Sequence, residues 1–217
     1  MTPWLIVPMK SLAEGKSRLR SVLTDEARRQ LNYGLLLRIL TAASEFPGST
    51  RTAVISECAD VLGVAAAMGA LPLRQAPGSN LNDALKQGVD ALRDRSGDAI
   101  LIAAADLPLI TADDLKKMAD IGRGEREVVV WTDKHRRGTN ALYLPNDVTL
   151  SFQFGHDSCA KHYREGVAAA GGASIEIDPH IAFDIDTADD LRQWCDSGDA
   201  LALDALRDIE GRIPATP

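Results

Sequence analysis

Three aspartates stand where a divalent cation could be held. Asp106 follows Ala99–Ala103, an apolar run that predicts a buried central strand. Asp184 and Asp186 flank a single residue, so both carboxylates face the same way if that segment is extended. Such carboxylates repel each other unless a cation lies between them, and oxygen ligands suit Mg²⁺. Together they predict a Mg²⁺ site of the kind that binds nucleotide phosphates, although turns, helix caps or a solvated edge strand would explain them one by one.

Basic residues near the N-terminus could neutralise a bound triphosphate. The loop Met9–Leu19 carries Lys10, Lys16 and Arg18 and follows the first predicted strand. Ligands of open α/β sheets bind beyond the carboxyl ends of the strands, so this loop is expected at the same edge as Asp106. The glycines of a P-loop and of the Rossmann fingerprint are missing. An ordinary basic surface loop is the alternative interpretation.

The stretch Val128–Leu144 combines two short predicted strands with a polar connection. A basic run, residues 134–137, precedes a Gly-Thr-Asn sequence, residues 138–140, which predicts a turn. That turn offers backbone N–H groups, a hydroxyl and an amide, and this combination suits phosphate or carboxylate. A solvated hairpin with a basic loop is the alternative.

Two further kinds of side chain are weaker candidates for chemistry. Cys159 has no base partner that the sequence can justify as the activator of a nucleophile. His156 and His162 are six residues apart across a predicted loop-to-helix junction, which is poor spacing for two ligands of one metal ion.

Composition and charge exclude several classes of protein. The 217 residues, 45% of them hydrophobic, suit one domain of the larger sort, expected over residues 1–217. A formal net charge of −7 argues against nucleic-acid binding but is compatible with a small anion held with Mg²⁺. The N-terminal apolar run is too short for a signal peptide or a membrane span. Three separated cysteines support neither a disulfide framework nor a zinc site, so the cytoplasm is the expected location.

The elements that must position these residues alternate along the chain. Apolar runs and helical spacing predict strand–helix repeats in the first half and a less regular second half. Capping boxes start helices at Thr111 and Thr187. Predicted strands cover about residues 4–7, 51–55, 71–75, 99–103 and 174–177, with two more in 128–144. This pattern predicts a three-layer α/β/α sandwich around a mostly parallel mixed sheet.

Six segments occur in the order found in one known family. They are VPMKSLAEGKSRL (7–19), SNLNDALKQG (79–88), AADLPLI (104–110), RGTNAL (137–142), FGHDSCAKH (154–162) and FDIDTADDL (183–191). On these segments the chain resembles the 2-phospho-L-lactate guanylyltransferase family of deazaflavin coenzyme F420 biosynthesis. The resemblance implies a Rossmann-related, glycosyltransferase-A-like fold of the nucleotide-diphospho-sugar transferase type. It also implies transfer of GMP from GTP to 2-phospho-L-lactate, phosphoenolpyruvate or 3-phosphoglycerate, with release of diphosphate.

The same resemblance implies roles for individual residues. The expected Mg²⁺ ligands are Asp106, Asp184 and Asp186. Catalysis is expected to depend on Asp106 together with two basic residues of the first loop, Lys16 and Arg18. The expected nucleotide contacts are Lys10, Lys16, Arg18 and Asn82. The expected contacts to the phosphorylated acid are Thr139, Gly155 and Ser158, joined by Asn140 and Arg137. A homodimer is a further expectation, because the family tends towards dimers.

One departure from the family pattern F-G-x-G-S bears on the acid substrate. Asp157 stands where a second glycine is expected, and His156 where proline is common. Aspartate tolerates the left-handed backbone conformation better than most residues, so the turn can survive at a cost of about 1 kcal/mol. An extra carboxylate weakens binding of a dianion unless Arg136, Arg137 or His156 offsets it. Two alternatives therefore stay open: a related transferase with another nucleotide or acceptor, and a non-catalytic nucleotide-binding regulatory domain.

Overall fold

The strands of this protein form one mixed sheet. The structure, a computed structural model, describes residues 2–96 and 98–210. Seven strands lie in the order β3-β2-β1-β4-β6-β5-β7. Their bounds are β1 Trp4–Pro8, β2 Thr52–Ser56, β3 Leu71–Arg74, β4 Ile100–Ala103, β5 Val128–Thr132, β6 Thr139–Leu144 and β7 Ala173–Glu176. Only the pairings of β6 with β4 and with β5 are antiparallel, so the prediction of a mostly parallel mixed sheet is confirmed.

Eight helices accompany the sheet within the described part of the chain. Their bounds are α1 Asp25–Ala43, α2 Ala59–Ala67, α3 Leu81–Ser96, α4 Ala112–Glu125, α5 Ser158–Ala170, α6 Pro179–Ala182, α7 Ala188–Cys195 and α8 Ala200–Glu210. Both predicted capping boxes are present, at Thr111 with Asp114 and at Thr187 with Asp190. None of the described helices is both long and apolar enough to cross a membrane. The prediction of a single domain over residues 1–217 extends beyond the described residues and stays a prediction.

The alternation of side chains along the strands produces the three layers. In β1, Leu5 and Val7 join a buried cluster that contains residues of α1, α2 and α4. Trp4 and Ile6, on the other face of the same strand, join a cluster that contains residues of α3 and α5. Successive side chains of a strand point to opposite faces, so a strand covered on both faces is apolar throughout. The sandwich predicted from the sequence is confirmed.

A third buried cluster brings the first loop into contact with the segment that carries Asp184 and Asp186. It contains Leu19 of the first loop, Ile185 of the aspartate segment, and residues of α1, α7 and α8. Leu19 and Ile185 are fully buried. Burial of an apolar side chain of this size contributes roughly 1.5–3 kcal/mol, so this packing holds the backbone on either side of each residue in place.

The structure corrects one local prediction. Thr139 and Asn140 do not form a turn: they are the first residues of β6, and both are buried. A register irregularity after Trp131 lets Thr132 pair with Thr139, which moves the reversal of the chain to residues 133–138. The segment 183–186 lies between α6 and the cap of α7 and pairs with no described strand of the sheet.

Candidate active site

The three predicted aspartates come together at the carboxyl edge of β4. One carboxylate oxygen from each of Asp106, Asp184 and Asp186 lies within 4.8 Å of the others. The Ile185 N–H donates to the backbone oxygen of Asp106 at 3.3 Å, which fixes the two segments side by side. Because Ile185 points into the buried cluster, the aspartates on either side of it are left facing the cleft. The arrangement offers a divalent cation three oxygen ligands.

Lys16 lies among these carboxylates. Its Nζ is 2.6 Å from Asp106 Oδ2 and 3.6 Å from Asp186 Oδ1, and its side chain is only 5% exposed. Burial alone would lower the pKa of Lys16, but the charge and hydrogen bond of Asp106, with the charges of Asp186 and Asp184, raise the pKa above its ordinary value. Lys16 is therefore an ammonium ion. At the rim, Arg18 Nη1 reaches Asp186 Oδ2 at 3.0 Å.

The first loop is held in this position by buried polar contacts from α1. Arg28 donates to the carbonyl oxygens of Ala13 and Gly15 at 3.1 and 2.9 Å, and Asn32 donates to that of Leu12 at 2.7 Å. Arg28 and Asn32 are themselves buried, so their polar groups would be costly to leave without these acceptors. The backbone of Lys16 adopts the left-handed conformation, with φ of 58°, directly after this anchored stretch.

The electrostatics of the aspartates fit a divalent cation. Burial and repulsion by Asp106 and Asp186 raise the pKa of Asp184 to about 6. Asp184 is thus largely ionised at neutral pH, and among the described residues the cationic side chains paired with the three aspartates are those of Lys16 and Arg18. One negative charge remains uncompensated, and oxygen ligands with surplus negative charge are what Mg²⁺ selects. The donor set therefore fits the expected metal.

The other half of the cleft contains the residues expected to contact the acid. The two halves adjoin, because the backbone N–H of Ala104, after β4, donates to the backbone oxygen of Asn140 in β6 at 2.9 Å. Thr139 Oγ1 is 2.9 Å from Nδ1 of His162, and both residues are buried. Ser158 begins α5, whose N-terminal N–H groups favour an anion.

The turn before α5 depends on unusual backbone conformations. Gly155 has φ of +118°, which is open to glycine and strained for other residues. Asp157 adopts the left-handed conformation, with φ of 53° and ψ of 35°, as the sequence predicted. Its side chain makes no capping hydrogen bond to α5. Backbone oxygens serve the first two N–H groups of α5 instead: Ser158 N–H donates to Gly155 at 3.2 Å, and Cys159 N–H donates to Arg137 at 3.0 Å.

The carboxylate of Asp157 is paired with neighbouring basic side chains. Arg137 Nε donates to Asp157 Oδ1 at 2.9 Å, and His156 Nδ1 is 2.8 Å from Asp157 Oδ2. The hydrogen bond from Arg137 holds the pKa of Asp157 below its ordinary value. With Arg136, the side chains of Arg137 and Asp157 line a cavity of about 300 Å³ that also includes Lys161 of α5. Arg137 thus offsets the extra carboxylate, which was one of the possibilities raised by the sequence.

Three expected site residues have structural contacts of their own. Asn82 accepts from the Phe154 N–H at 2.8 Å and so holds the turn before α5. Asn140 donates to the carbonyl oxygen of Ile181 at 2.9 Å, which anchors α6. The backbone oxygen of Lys10 accepts from Ser56 Oγ at 2.8 Å, at the carboxyl edge of β1, while the Lys10 side chain is exposed. The expected contacts of these residues with nucleotide or acid stay predictions.

Sequence reasoning missed the part that His162 plays in the acid half of the cleft. Its position four residues after Ser158 places both side chains on one face of α5, and that spacing was a usable signal. Burial lowers the pKa of His162 to about 4, with a smaller effect from Lys161, so the ring is neutral at neutral pH.

Two solved structures share the fold of this chain. A Desulfovibrio desulfuricans protein described as a nucleotide-diphospho-sugar transferase has a TM-score of 0.77 at 14% identity, covering 97% of this chain and 96% of that one. A cytidylyltransferase from Leptospira borgpetersenii has a TM-score of 0.61 at 15% identity, covering 97% and 93%. At such identities the likeness shows the fold alone, and it confirms the nucleotide-diphospho-sugar transferase type. The fold and the acidic cluster agree with the nucleotidyltransferase class expected from the sequence.

The family follows from the sequence itself. A family model described as "Guanylyl transferase CofC like" matches residues 4–210, so the chain belongs to the CofC-like guanylyl transferase family. A phosphoenolpyruvate guanylyltransferase from Chloroflexus aggregans is 33% identical over 197 residues, 88% of this chain and 96% of its own. One from Sphaerobacter thermophilus is 36% identical over 195 residues, 89% of this chain and 92% of its own. The resemblance noted from the six segments is confirmed.

Proposed function

We propose that this guanylyltransferase transfers GMP from GTP to a phosphorylated three-carbon acid and releases diphosphate. The observation that supports this most is the adjacency of two unlike anion sites. An acidic cluster with a buried lysine, suited to a metal-bound triphosphate, adjoins a hydroxyl and a helix N-terminus suited to a second phosphate. A reaction between two phosphorylated substrates would use both halves of this cleft.

Phosphoenolpyruvate is the acceptor that we propose first. The relatives that resemble this chain over most of its length are phosphoenolpyruvate guanylyltransferases. 2-Phospho-L-lactate and 3-phosphoglycerate are the alternatives, since they share the phosphate and the carboxylate. With any of the three acids, the product would be an acid linked to guanosine through a diphosphate bridge, as expected for an early step of coenzyme F420 biosynthesis.

The chemistry requires no general base from the protein. The nucleophile is an oxygen of the acid's own phosphate, whose second pKa near ~6 leaves it largely ionised at neutral pH. A new P–O bond forms at the α-phosphorus of GTP, the bond to the β-phosphate bridging oxygen breaks, and diphosphate leaves with the electron pair. The obstacle is repulsion between two polyanions, so catalysis consists of alignment and charge neutralisation.

The residues of the cleft have separate parts in this reaction. Asp106, Asp184 and Asp186 would hold Mg²⁺, which when bound would supply positive charge at the triphosphate. Lys16 and Arg18 neutralise further phosphate charge. Thr139, Gly155 and Ser158, the expected contacts to the acid, orient the attacking phosphate. With Arg137 beside them, the acid's charge is balanced at the second half of the cleft.

The direct test is diphosphate release by the purified full chain. Each of GTP, ATP, CTP and UTP is paired with each of the three acids, with Mg²⁺ or with EDTA. We expect diphosphate only with GTP, with Mg²⁺, and with phosphoenolpyruvate as the best acid. Preference for another nucleotide or acid would replace the proposed substrate, and no release by folded protein in any pairing would refute the proposed reaction.

A further inference from the structure

His162 links the two segments expected to contact the acid. It lies in α5 with no exposed surface, one turn after Ser158. Its Nδ1 is 2.9 Å from Thr139 Oγ1, and its Nε2 is 3.0 Å from the backbone nitrogen of Gln153. The edge of the ring packs on Phe154, with the centroids 4.6 Å apart. One imidazole therefore contacts β6, α5 and the turn that precedes α5.

The hydrogen bonds of this ring determine its tautomer. The Gln153 N–H can only donate, so Nε2 of His162 must accept and carries no hydrogen. A neutral imidazole then has its hydrogen on Nδ1. That hydrogen points at Thr139 Oγ1, which must be the acceptor in this contact. The low pKa of His162 agrees with a neutral ring.

The tautomer in turn determines what the threonine hydroxyl can do. An oxygen that accepts from Nδ1–H keeps its own hydrogen for a different partner. Within the described residues, nothing in the structure accepts that hydrogen from Thr139. With the opposite tautomer, the hydroxyl would donate to Nδ1 and would turn a lone pair towards the cleft. A lone pair repels a phosphate or carboxylate oxygen, whereas an O–H group binds it.

We propose that His162 is a positioning residue that makes the Thr139 hydroxyl a hydrogen-bond donor to an anionic oxygen of the acid substrate. The inference rests on the proposed function in one respect, namely that the anion in this half of the cleft is the acceptor. Through Nε2, the same ring also accepts a hydrogen bond from the backbone N–H of Gln153, two residues before Gly155. One side chain therefore contacts both segments that are expected to bind the acid.

A pair of isosteric variants separates positioning from simple packing. His162→Asn places an amide near Nδ1 and can still donate to Thr139, whereas His162→Gln places one near Nε2 and can only keep the Gln153 contact. We expect His162→Gln to raise the KM of the acid about tenfold and to leave the KM of GTP within about twofold. His162→Asn should recover most of the loss. A purely structural role would make the two variants equal, or would raise both KM values together.

Thr139 supplies the second arm of this kinetic test. Thr139→Val removes the hydroxyl and retains the shape, so it should raise the KM of the acid by a similar factor. Because His162 acts through that hydroxyl, His162→Gln should have little further effect in the Thr139→Val background. Additive losses would show that the histidine acts by another route and would overturn the proposal.

A spectroscopic measurement keeps the proposal testable whether or not the chain turns over. Long-range ¹H–¹⁵N correlation spectra of protein labelled at histidine, with His162→Asn used for assignment, report which ring nitrogen carries the hydrogen. We expect Nδ1 of His162 to be protonated and Nε2 to be bare at pH 7. Hydrogen on Nε2 would overturn the proposal in active and inactive protein alike. Absence of turnover with every acid would instead count against the proposed function.

Discussion

The two halves of the cleft hold their functional groups by different physical means. In the half formed by Asp106, Asp184 and Asp186, where we propose that the nucleotide binds, charged groups face one another: Lys16 is inserted among three carboxylates, and burial with mutual repulsion raises the pKa of Asp184. In the acid half the central contact joins two neutral groups, His162 and Thr139, and the charged pair of Arg137 with Asp157 lies at the exposed rim. In the first half, a metal ion would take up the negative charge that now faces Lys16. In the second half, the contact between His162 and Thr139 is already formed without a ligand.

Because of this contrast, we expect mutations in the two halves to affect different steps of the reaction. An arrangement of like charges favours any added cation, so nucleotide and metal should bind together. A fixed hydroxyl and a helix N-terminus cost no reorganisation when the acid binds, so they can favour alignment as well as affinity. Variants in the first half should therefore change metal dependence and turnover, and variants in the second should change chiefly the KM of the acid.

The largest expected effect comes from the shared aspartate. Asp106→Asn removes a charged metal ligand and the partner of Lys16, and we expect it to lower kcat about 10³-fold or more, a loss of roughly 4 kcal/mol in transition-state stabilisation. Steady-state assays of diphosphate release measure this directly. Asp113→Asn, at an exposed aspartate at the start of α4, is the matched control and should be close to wild type. An active Asp106→Asn variant would remove the metal site from the account.

The pH dependence of folding should have opposite signs in the two halves. The pKa of Asp184 is raised in the folded state to about 6, so its favourable contribution is full below about pH 4 and is lost as pH rises through 6. The pKa of His162 is lowered to about 4, so its contribution is full above about pH 6.5 and is lost as pH falls towards 4. Each effect is at most about 3 kcal/mol.

Urea unfolding in EDTA between pH 4 and 8 measures both contributions. The free energy of unfolding of Asp184→Asn, relative to wild type, should increase as pH rises from 4 to 7. That of His162→Asn, relative to wild type, should increase as pH falls over the same range. Equal slopes for the two variants, or no slope for either, would show that the two halves do not differ in this way.

A smaller effect on stability is expected at Lys16. Lys16→Gln leaves three carboxylates without their buried cation, and we expect a loss of about 1–3 kcal/mol in the free energy of unfolding without metal. Mg²⁺ should stabilise this variant more than wild type, because it replaces the missing charge. Lys86→Gln, which removes an exposed pair with Asp90, should cost less than about 1 kcal/mol. An equal response of wild type and Lys16→Gln to Mg²⁺ would mean that lysine and metal do not share a site.

The smallest effect is expected at the rim of the acid half. Asp157→Gly and Asp157→Asn both remove a charge beside the acid, and each should lower the KM of the acid a few-fold while leaving that of GTP unchanged. Only glycine also relieves the left-handed backbone, so Asp157→Gly should be the more stable of the two by less than about 1 kcal/mol. Arg137→Gln should change the KM of the acid in the opposite direction. If all three variants leave that KM unaltered, the rim pair does not affect acceptor binding.

Sequence predicted the elements well where one strong pattern decided them. The apolar run 99–103 became β4, and its end placed Asp106 at the cleft. The spacing of Asp184 and Asp186 was the second signal, because it predicts both carboxylates on one side of an extended segment, and in the structure Ile185 between them is buried. The loop with Lys16 and Arg18 was expected at the same edge for topological reasons, and the structure places it there.

Other features depend on contacts between distant segments and had no local signal. Thr139 and Asn140 belong to a strand because the pairing of β5 with β6 changes register after Trp131. Nothing in the Gly-Thr-Asn sequence indicates this change. The tautomer of His162 is set by a backbone N–H nine residues earlier, in an irregular segment. Predicting which basic side chain compensates the charge of Asp157 required knowing which of several candidates reaches it. The path of the chain from Asp133 to Gly138 determines that it is Arg137.

The most direct test of the account is the fate of labelled oxygen. Phosphoenolpyruvate carrying ¹⁸O in all three terminal oxygens of its phosphate is incubated with GTP, Mg²⁺ and the protein, and the products are analysed by ³¹P NMR and mass spectrometry. If the acid's phosphate attacks the α-phosphorus, the label must appear in the bridging oxygen of the new diphosphate linkage and must be absent from the released diphosphate. Label in the released diphosphate, or a linkage whose bridging oxygen is unlabelled, would contradict the mechanism.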